Sequence, residues 1–403
     1  MSKVLFLNTP ADGHINPTLG LVNGLVKQGE EVIYFCTEEY RERIEKAGAI
    51  FKSYGENPNF LKGKLNVSGN VNVDDYLNLI NDILTSCEEM IQYILEQIKN
   101  IKFDYIIHGS SFPVGNMISQ ILKIPSISSF AIFATSKDLI SGISPTIGKL
   151  IKNHPVMDNY KEISNRLNVN YSVKLPKMVD LFFCKGDLNI AYTSKYFISQ
   201  AQYYDDSFIF IGPPIYDRNV NTNFPFDKLN NKKVVYISLG TVFNNTNGKL
   251  YNIFFNTFAN TDVVVVMAAY NIDISEFDIP KNFIVKNYVP QSEILKHTDV
   301  AITHAGMNST SDLLYYNVPF VAIPIGADQP YMAARVSELG AAISLDKDEL
   351  TSEMLKNSVE KVLKDPSYLE NIKKISNSFK EAGGYKKAIE EISKFKQQNG
   401  ILG

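Results

Sequence analysis

Cysteine is scarce in this 403-residue sequence, which contains only Cys36, Cys87 and Cys184. These residues lie far apart and form no CxxC pair, so the sequence excludes a framework of closely spaced disulfides. An odd number of widely separated cysteines is typical of reduced, mostly buried thiols. The scarcity of cysteine therefore predicts a protein of the cytoplasm.

The sequence also lacks an excess of positive charge and any long apolar run. Lysine and arginine number 40 against 43 acidic residues, which gives a formal net charge of −3, whereas a nucleic-acid-binding surface needs clustered Lys and Arg. No stretch approaches the roughly 20 apolar residues of a transmembrane helix, and the apolar start of the chain is as short as a strand, unlike a signal peptide. We therefore expect no nucleic-acid partner and no stable membrane insertion.

What the sequence does contain is an alternation of predicted strands and helices. Its hydrophobic fraction of 45% and charged fraction of 21% are those of a well-packed globular protein, and its length favours two domains. The first helix is predicted to begin with Asn16 as its cap and Pro17 in its first turn. In the first half, strands are predicted at residues 4–7, 31–36, 105–107 and 208–215, helices at 16–29, 39–47 and 76–98, a loop at 54–75, and no regular pattern at 136–181.

A polar, Asn-rich segment at residues 219–231 separates this half from a second alternating series. Two such series predict an α/β protein with two facing, doubly wound (Rossmann-like) parallel-sheet domains and a ligand site in the cleft between them. The predicted domains span residues 1–218 and 219–383, and a C-terminal helix at 384–403 packs back on the first domain. The strands of the second series are predicted at residues 234–239, 263–268, 283–288, 300–303, 319–324 and 341–345.

The most informative pattern follows the predicted strand that ends at Thr303. There the sequence His304-Ala-Gly-Met-Asn-Ser-Thr310 places small and polar residues at the start of a helix, where backbone N–H groups and the helix dipole favour an anion. The side chains of His304, Asn308 and Ser309 add donors, which suits a diphosphate without a metal. About one turn further along, Asp312 can accept hydrogen bonds from a ribose diol.

Two further segments add side chains suited to a ligand. Tyr288 ends a predicted strand and offers a flat face for a base, while Asp328 and Gln329 follow another strand and suit the hydroxyls of a sugar. The run Asp346-Lys-Asp348 has the spacing of a DxD metal motif, but it is better explained as the cap of a helix that begins near Thr351. No metal site is therefore predicted.

A histidine also follows the first predicted strand, within Pro10-Ala-Asp-Gly-His-Ile-Asn-Pro17. A neutral imidazole at His14 can remove the proton of a hydroxyl group while that group attacks a sugar. The alternative interpretation is that His14 only caps the first helix. The first interpretation makes His14 the candidate catalytic residue.

Together these segments resemble the family 1 glycosyltransferases, the UDP-glycosyltransferases of GT-B fold, and in particular the bacterial enzymes that act on macrolides and flavonoids. Three segments follow the donor signature of that family in order: Tyr288-Val-Pro-Gln291, His304-Ala-Gly-Met-Asn-Ser-Thr310 and Asp328-Gln329. Ser238-Leu-Gly-Thr241 is similar to the glycine turn of the family, and the segment around His14 is similar to its amino-terminal motif. The resemblance covers nearly the whole chain.

The resemblance implies a role for each matched residue, with His14 as the catalytic base. Asp312 would hold the ribose, although the family usually has Glu at this position. Tyr288 would lie near the base, and Thr241 near a phosphate of the donor. The implied donor-binding residues are Thr241, Tyr288, Val289, Gln291, His304, Gly306, Asn308, Ser309, Asp312, Asp328 and Gln329, of which His304, Asn308 and Ser309 would contact the diphosphate and Asp328 and Gln329 the sugar.

One position departs from the family pattern. In Asp104-Tyr-Ile-Ile-His-Gly-Ser-Ser111, Gly109 stands where the family usually has an Asp that orients the catalytic histidine. Loss of an orienting carboxylate costs roughly ten-thousandfold in kcat in the serine-protease triad. Three explanations stay open: the acceptor is acidic enough to need little base strength, transfer is lost while donor binding survives, or another group holds His14, the candidates being Asp12, His108, Ser110 and Ser111.

The expected function is that of an inverting, metal-independent glycosyltransferase that uses no cofactor and moves glucose from UDP-glucose to a hydroxyl of a small hydrophobic acceptor. Residues 1–218 would bind the acceptor and residues 219–383 the nucleotide sugar. Asn16, Phe112 and Phe133 are the candidate acceptor contacts. A flat aromatic or macrocyclic acceptor is implied by the resemblance alone, and we expect a monomer or a homodimer.

Other functions stay open. Within the same class, the donor would be a dTDP-deoxysugar. A non-catalytic nucleotide-sugar-binding protein would explain Gly109, and it predicts donor binding without acceptor-dependent release of UDP. A phosphorylase-like enzyme or an epimerase would share the fold, although no lysine placed for pyridoxal and no extra acid pair stands out. A membrane-docked cell-wall transferase would need a basic, apolar face that the sequence does not show.

Overall fold

The computed structural model of the protein describes residues 1–55, 73–131, 154–199, 201–216, 223–240, 248–270, 272–326 and 328–401. It divides into two compact units. Unit 1 contains the described residues of Met1–Lys64, Val71–Tyr216 and Ala382–Gly403, and unit 2 contains those of Asp217–Glu381. Thr241, Phe133 and most of the predicted loop at residues 54–75 lie outside the described residues.

Unit 1 is built on seven strands and the helices between them. The strands are β1 (Lys3–Leu7), β2 (Glu31–Cys36), β3 (Ile50–Ser53), β4 (Tyr105–Gly109), β5 (Ser126–Phe130), β6 (Leu188–Ala191) and β7 (Phe208–Phe210). They form one sheet in the order β3-β2-β1-β4-β5-β6-β7, and every paired strand is parallel to its neighbour. The helices are α1 (Asp12–Lys27), α2 (Arg41–Lys46), α3 (Val73–Ile98), α4 (Pro113–Leu122) and α5 (Val156–Tyr171).

The central strands of unit 1 are short apolar runs because both faces of the sheet are covered. In β1, the side chains from Val4 to Leu7 are fully buried, whereas a strand with one face in water would alternate with polar residues. The strand order reverses between β1 and β4. The turns that follow these two strands therefore lie side by side, at the edge where doubly wound sheets bind their ligands.

The first helix begins earlier than its sequence predicts. The predicted start at Pro17 is wrong, because α1 begins at Asp12 and Pro17 lies inside it. Ala11 has an extended backbone, with φ −146° and ψ 143°, and its carbonyl accepts the N–H of Ile15 at 2.9 Å, which closes the first turn. The proline then costs the helix one backbone hydrogen bond in its second turn. As a result, His14 lies inside the first turn of α1.

Unit 2 repeats this architecture with six strands. They are β8 (Lys233–Ser238), β9 (Val263–Ala268), β10 (Phe283–Lys286), β11 (Val300–Thr303), β12 (Phe320–Ala322) and β13 (Ala342–Ser344). All of them pair in parallel, in the order β10-β9-β8-β11-β12-β13. The helices are α6 (Gly248–Phe258), α7 (Gln291–Leu295), α8 (Met307–Tyr315), α9 (Gln329–Glu338), α10 (Ser352–Lys364) and α11 (Pro366–Glu381).

The six strands predicted for the second half of the chain are confirmed, each within two residues at either end. Their apolar runs are buried: Val300, Ala301 and Ile302 in β11 are at most 1% exposed. In this sheet the strand order reverses between β8 and β11. The turns after these two strands are consequently neighbours, as the turns after β1 and β4 are in unit 1.

The last helix, α12 (Gly384–Gln398), belongs to unit 1 and packs on α1. The hydroxyl of Tyr385 donates to the carbonyl of Pro17 at 2.7 Å. Gly20 makes room for this ring, since a Cβ there would lie 2.2 Å from a ring carbon. Near the other end of α12, Lys396 pairs with the buried carboxylate of Glu30 at 2.8 Å. Helix α12 thus packs against α1, the helix that carries His14, and stabilises it.

Within the described ranges, none of the helices combines the length and the apolar character that crossing a membrane requires.

Candidate active site

Each sheet carries a histidine at the point where its strand order reverses. In unit 1, β1 and β4 are paired, and His14 and Ser111 come from the segments that follow them. In unit 2, β8 and β11 are paired, and His304 directly follows β11. The two places are topologically equivalent, and both lie at the carboxyl ends of parallel strands.

In unit 1, His14 is held by a hydroxyl group. Its Nδ1 lies 3.2 Å from the Oγ of Ser111, and this Oγ lies 3.2 Å from the Oγ1 of Thr9. Although His14 retains some exposed surface, desolvation by burial lowers its pKa to about 4. The imidazole is therefore neutral at pH 7, which is the state that a general base needs.

Beside this pair, an asparagine occupies the space next to Gly109. A Cβ at position 109 would lie 2.3 Å from the Oδ1 of Asn8, so no side chain fits there unless Asn8 moves. The Nδ2 of Asn8 donates to the carbonyl of His14 at 3.0 Å and to the hydroxyl of Tyr34 at 3.0 Å. Asn8 is not among the predicted site residues, although a polar residue that directly follows a buried strand and precedes a histidine turn is a usable signal.

Of the remaining groups named as possible partners of His14, Asp12 and His108 have other polar contacts, and the hydroxyl of Ser110 has none within the part of the chain that the structure describes. The carboxylate of Asp12 pairs with Arg43 at 2.5 Å. His108 is fully buried, its Nδ1 lies 3.1 Å from the carbonyl of Gly109, and burial lowers its pKa to about 4. The Oγ of Ser110 is buried without a hydrogen-bond partner among the described residues.

Two of the three candidate acceptor contacts, Asn16 and Phe112, lie among the described residues and have different surroundings. Asn16 accepts a hydrogen bond from Arg43 at 3.3 Å through its Oδ1. Phe112 is fully buried in the core of unit 1, where its ring stacks on Tyr54 with centroids 5.4 Å apart. Phe133 lies outside the described residues.

In unit 2, His304 is held by backbone groups and two glycines. Its N–H donates to the carbonyl of Ser238 at 3.3 Å, and its Nδ1 lies 3.4 Å from the same oxygen. A Cβ at Gly240 or Gly306 would lie 2.5 Å or 2.4 Å from its Nε2. Burial lowers the pKa of His304 to about 4. The ring is thus neutral at pH 7 and fits closely between two positions that must be glycine.

The turn after His304 leads into the nine-residue helix α8 with an unusual backbone. Ala305 has φ 62°, a left-handed conformation that costs a residue with a Cβ roughly 1–2 kcal/mol. Gly306 is the cap of α8, and its carbonyl accepts the first helical hydrogen bond from the N–H of Thr310 at 2.9 Å. The backbone N–H groups ahead of Thr310 have no acceptor earlier in the helix, so this end of α8 can bind an anion.

Farther along α8, two of the predicted donor residues are hydrogen-bonded to each other. The Nε2 of Gln291 donates to the Oδ2 of Asp312 at 2.7 Å. The hydroxyl of Tyr236 donates to the Oε1 of Gln291 at 3.0 Å. These two hydrogen bonds fix the orientation of both the amide and the carboxylate, and Tyr236 is a further residue that is not among the predicted site residues. Nearby in sequence, Tyr288 is 58% exposed whereas Val289 is buried.

Asp328 and Gln329 lie at the start of α9. Asp328 is the cap of this helix, and burial raises the pKa of its carboxyl group. Gln329 is 4% exposed, and its Oε1 accepts the N–H groups of Ile325 at 2.8 Å and Gly326 at 3.1 Å. The amide oxygen of Gln329 therefore shapes the preceding loop, and its nitrogen is the part that can donate to a ligand.

The described residues contain no cluster of three or more His, Cys, Asp or Glu side chains that could hold a metal ion. In the DxD-like run, Asp346 accepts the backbone N–H of Asp348 at 2.8 Å, and Asp348 pairs with Lys347 at 2.8 Å. The next helix, α10, is capped by Thr351, whose side chain accepts the N–H of Met354 at 3.2 Å. These contacts make the run part of a turn before a capped helix.

Similarity to known proteins agrees with this geometry. The family model described as "UDP-glucoronosyl and UDP-glucosyl transferase" matches residues 227–383. The chain is 35% identical to the uncharacterized UDP-glucosyltransferase YojK of Bacillus subtilis, over 97% of both chains. It is a family 1 glycosyltransferase. The chain is also 30% identical to the NDP-glycosyltransferase YjiC of Bacillus subtilis, over 99% of this chain and 98% of that one.

Among solved structures, this glycosyltransferase is similar to the glycotransferase of kitacinnamycin, with a TM-score of 0.83 over 98% of each chain at 22% identity. At that identity the likeness concerns the fold. The two parallel, doubly wound sheets of the glycosyltransferase have the GT-B architecture, as predicted.

Proposed function

We propose that this glycosyltransferase is an inverting, metal-independent enzyme that transfers glucose from UDP-glucose to an acidic hydroxyl, such as a phenol, of a small hydrophobic acceptor. In this proposal, residues 1–218 bind the acceptor, residues 219–383 bind the nucleotide sugar, and the helix at 384–403 completes the first domain. The observation that carries the proposal is the turn from His304 into α8.

The start of α8 supports a diphosphate site. It presents backbone N–H groups and the positive end of the helix dipole, to which Asn308 and Ser309 add side-chain donors. Because Gly240 and Gly306 have no side chains, the ring of His304 fits closely beside both positions. Thr241 follows Gly240 directly and stays a predicted phosphate contact. The charge of a departing UDP would be neutralised here by dipoles and hydrogen bonds rather than by a cation.

The chain of hydrogen bonds from Tyr236 to Asp312 supports a ribose site. With Gln291 donating to its Oδ2 at 2.7 Å, the carboxylate of Asp312 is oriented before a ligand arrives, which lowers the entropy cost of binding a diol. The exposed ring of Tyr288 offers a face on which a base can stack. Val289, which follows it, would contribute backbone groups.

Asp328 and Gln329 are the proposed sugar contacts. A carboxylate and an amide nitrogen can bind adjacent equatorial hydroxyls, as glucose has and as a sugar deoxygenated at one of those positions lacks. This favours UDP-glucose over a dTDP-deoxysugar, which is the second candidate donor. The names of the relatives leave both open, since one specifies UDP and the other only a nucleoside diphosphate.

His14 is the proposed general base. The acceptor oxygen forms a bond to the anomeric carbon while the bond from that carbon to the diphosphate breaks. The electron pair of the broken bond leaves with UDP, and the proton of the acceptor moves to the Nε2 of His14. One displacement converts an α-linked donor into a β-glycoside. Because the pKa of His14 is lowered to about 4, it is a weak base that suits acidic hydroxyls best.

The decisive experiment is a screen for UDP release across UDP-sugars with phenolic and macrolide acceptors, with and without EDTA. We expect acceptor-dependent release with UDP-glucose and a phenol, unaffected by EDTA, and a β-glycoside by NMR. Release that stops in EDTA would contradict the metal-independent mechanism, and an α-glycoside would contradict inversion.

Calorimetry separates the remaining outcomes of that screen. Binding of UDP without release in the presence of any acceptor would favour a non-catalytic nucleotide-sugar-binding protein. If neither UDP nor any UDP-hexose gives heat, the assignment of the turn after β11 as a diphosphate site fails, and the proposed donor fails with it.

A further inference from the structure

We infer that Ser111 is the positioning residue of His14: its hydroxyl oxygen accepts the Nδ1–H of the imidazole and so holds the tautomer in which Nε2 is ready to take a proton. This inference rests on the proposed role of His14 as the base. It assigns to a neutral hydroxyl the place that a carboxylate has in other histidine-dependent enzymes.

The position of Ser111 in the fold supports this role. Ser111 lies two residues after β4, and His14 lies in the first turn of the helix after β1, so the reversal of strand order brings them together. Their Oγ and Nδ1 atoms are 3.2 Å apart. Neither residue could reach the other if β4 did not pair with β1.

The hydrogen-bond partners of Thr9 favour one direction for this bond. The hydroxyl of Thr9 donates to the carbonyl of Ser111 at 3.4 Å, and its oxygen lies 3.2 Å from the Oγ of Ser111. Since each hydroxyl carries one proton, Thr9 then accepts from Ser111, and the oxygen of Ser111 accepts from His14. In that arrangement the proton of the neutral imidazole is on Nδ1, and Nε2 has its lone pair.

Asn8 supports the same arrangement from the main chain. Its amide donates to the carbonyl of His14 at 3.0 Å, while its Oδ1 accepts the N–H of Thr9 at 2.9 Å. This amide fills the space that a side chain at position 109 would need. Two tasks are therefore divided: Asn8 fixes the backbone of the turn, and Ser111 fixes the ring.

The division has a consequence for the substrate. A carboxylate would both orient the imidazole and stabilise its protonated form, whereas a serine hydroxyl only orients it. The protonated His14 formed during transfer thus gains no ion pair from Ser111. The acceptor hydroxyl should therefore be one that gives up its proton readily, such as a phenol rather than an aliphatic alcohol.

The test compares Ser111→Ala with Ser110→Ala, a matched control that removes the serine hydroxyl at the neighbouring position. We expect Ser111→Ala to lower kcat by about a hundredfold at an unchanged KM for UDP-glucose, since a small misorientation of a catalytic group costs that much. Ser110→Ala should keep the kcat of the parent. Equal kcat values for Ser111→Ala and the parent would overturn the inference.

A second variant, Ser111→Asp, distinguishes positioning from a structural role. A carboxylate beside the imidazole raises its pKa, so the acidic limb of the pH profile of kcat/KM should move to higher pH by about one unit or more. The rate with an aliphatic alcohol should rise relative to the rate with a phenol. An acidic limb that stays in place, although the variant folds and turns over, would overturn the inference.

A spectroscopic measurement makes the inference testable without turnover. In the ¹⁵N-histidine-labelled parent, His14 should show the Nδ1–H tautomer, and Ser111→Ala should shift it toward a mixture while Ser110→Ala does not. The Nε2–H tautomer in the parent would overturn the inference even if transfer is observed. If the parent shows Nδ1–H but transfers no sugar to any acceptor, the proposed function fails and the contact of Ser111 stands.

Discussion

The histidine turns of the two units lie where the strand order of each sheet reverses, but they follow non-equivalent strands and are held by different groups. His14 is held through side chains, by Ser111 on its ring and Asn8 on its backbone. His304 is held through the backbone carbonyl of Ser238 and the absence of side chains at two flanking glycines. In both cases burial lowers the pKa of the imidazole to about 4.

The difference indicates different tasks. A ring held by a hydroxyl can exchange a proton, and its basicity can be changed through the residue that holds it. A ring packed between two glycine positions has one orientation, and its neighbours cannot change without a clash. We therefore propose proton transfer for the turn of unit 1 and rigid recognition of an anion for the turn of unit 2.

Removing each histidine in turn should have the largest effects. His14→Ala should lower kcat by about a hundredfold to ten-thousandfold, because general-base catalysis is lost, and should leave the Kd for UDP nearly unchanged. His304→Ala should weaken UDP binding by about tenfold to a hundredfold, because the turn loses the ring packed between Gly240 and Gly306 and the N–H groups of α8 lose their alignment with the charged diphosphate. Calorimetry with UDP and steady-state kinetics measure the two effects.

The comparison fails if the two variants behave alike. A loss of UDP affinity in His14→Ala that equals the loss in His304→Ala would mean that both histidines bind the donor. Full activity in His14→Ala would remove this residue from the mechanism while leaving the donor site intact.

A second experiment introduces a carboxylate into the turn of unit 1. Gly109→Asp should lower the free energy of unfolding by about 3 kcal/mol, because a side chain there collides with the Oδ1 of Asn8. Its transfer rate should fall rather than rise. Combining it with Asn8→Ala, which removes the colliding atom together with the hydrogen bonds of Asn8, should cost less stability than the sum of the two single losses. Urea unfolding of the two single variants and the double variant measures the coupling between the two positions.

A rate increase in Gly109→Asp alone would contradict this account, since it would mean that Asn8 moves aside without cost and that the carboxylate takes over from Ser111. Additive losses in the double variant would show that the two side chains do not compete for one space.

The sheet of unit 2 could be predicted almost completely because its strands are apolar runs, such as Val263-Val-Val-Val-Met-Ala268. In unit 1, β3, β5 and β6 were missed. β5 has the sequence SISSF, which contains three buried serines. Their hydroxyls bond to groups distant in sequence, for example Ser128 to the carbonyl of Cys184 at 2.7 Å. Such partners allow a polar strand to be buried. Its sequence therefore has no local hydrophobic pattern that would predict a strand.

The candidate site was predictable to a similar extent. Sequence motifs indicate His14 and His304, because a histidine beside a glycine turn after a strand is a local pattern. The partner of His14 could be narrowed only to four residues, since the choice among them depends on which side chains point to the same side of the pair β1 and β4. Asn8 and Tyr236 were missed because each acts by filling or bridging a space that only the fold creates.

The smallest expected effect concerns the lowered pKa that the two histidines share. A buried histidine with a pKa of about 4 stays neutral as the pH falls, while in the unfolded chain it takes up a proton near pH 6.5. Stability is therefore lost as the pH falls from about 6.5 toward 4, and for His304, which is 9% exposed, the loss between pH 7 and 5 is about 2 kcal/mol.

Urea unfolding at both pH values tests this expectation. His304→Gln should reduce the loss of stability on acidification by about 2 kcal/mol, and His14→Gln should reduce it by less, because His14 is more exposed. If His304→Gln and the parent lose the same stability, His304 takes up a proton in the folded protein. The turn of unit 2 would then offer a charged donor to the diphosphate. His304 as well as His14 would exchange protons, so a neutral, rigid ring would no longer distinguish unit 2 from unit 1.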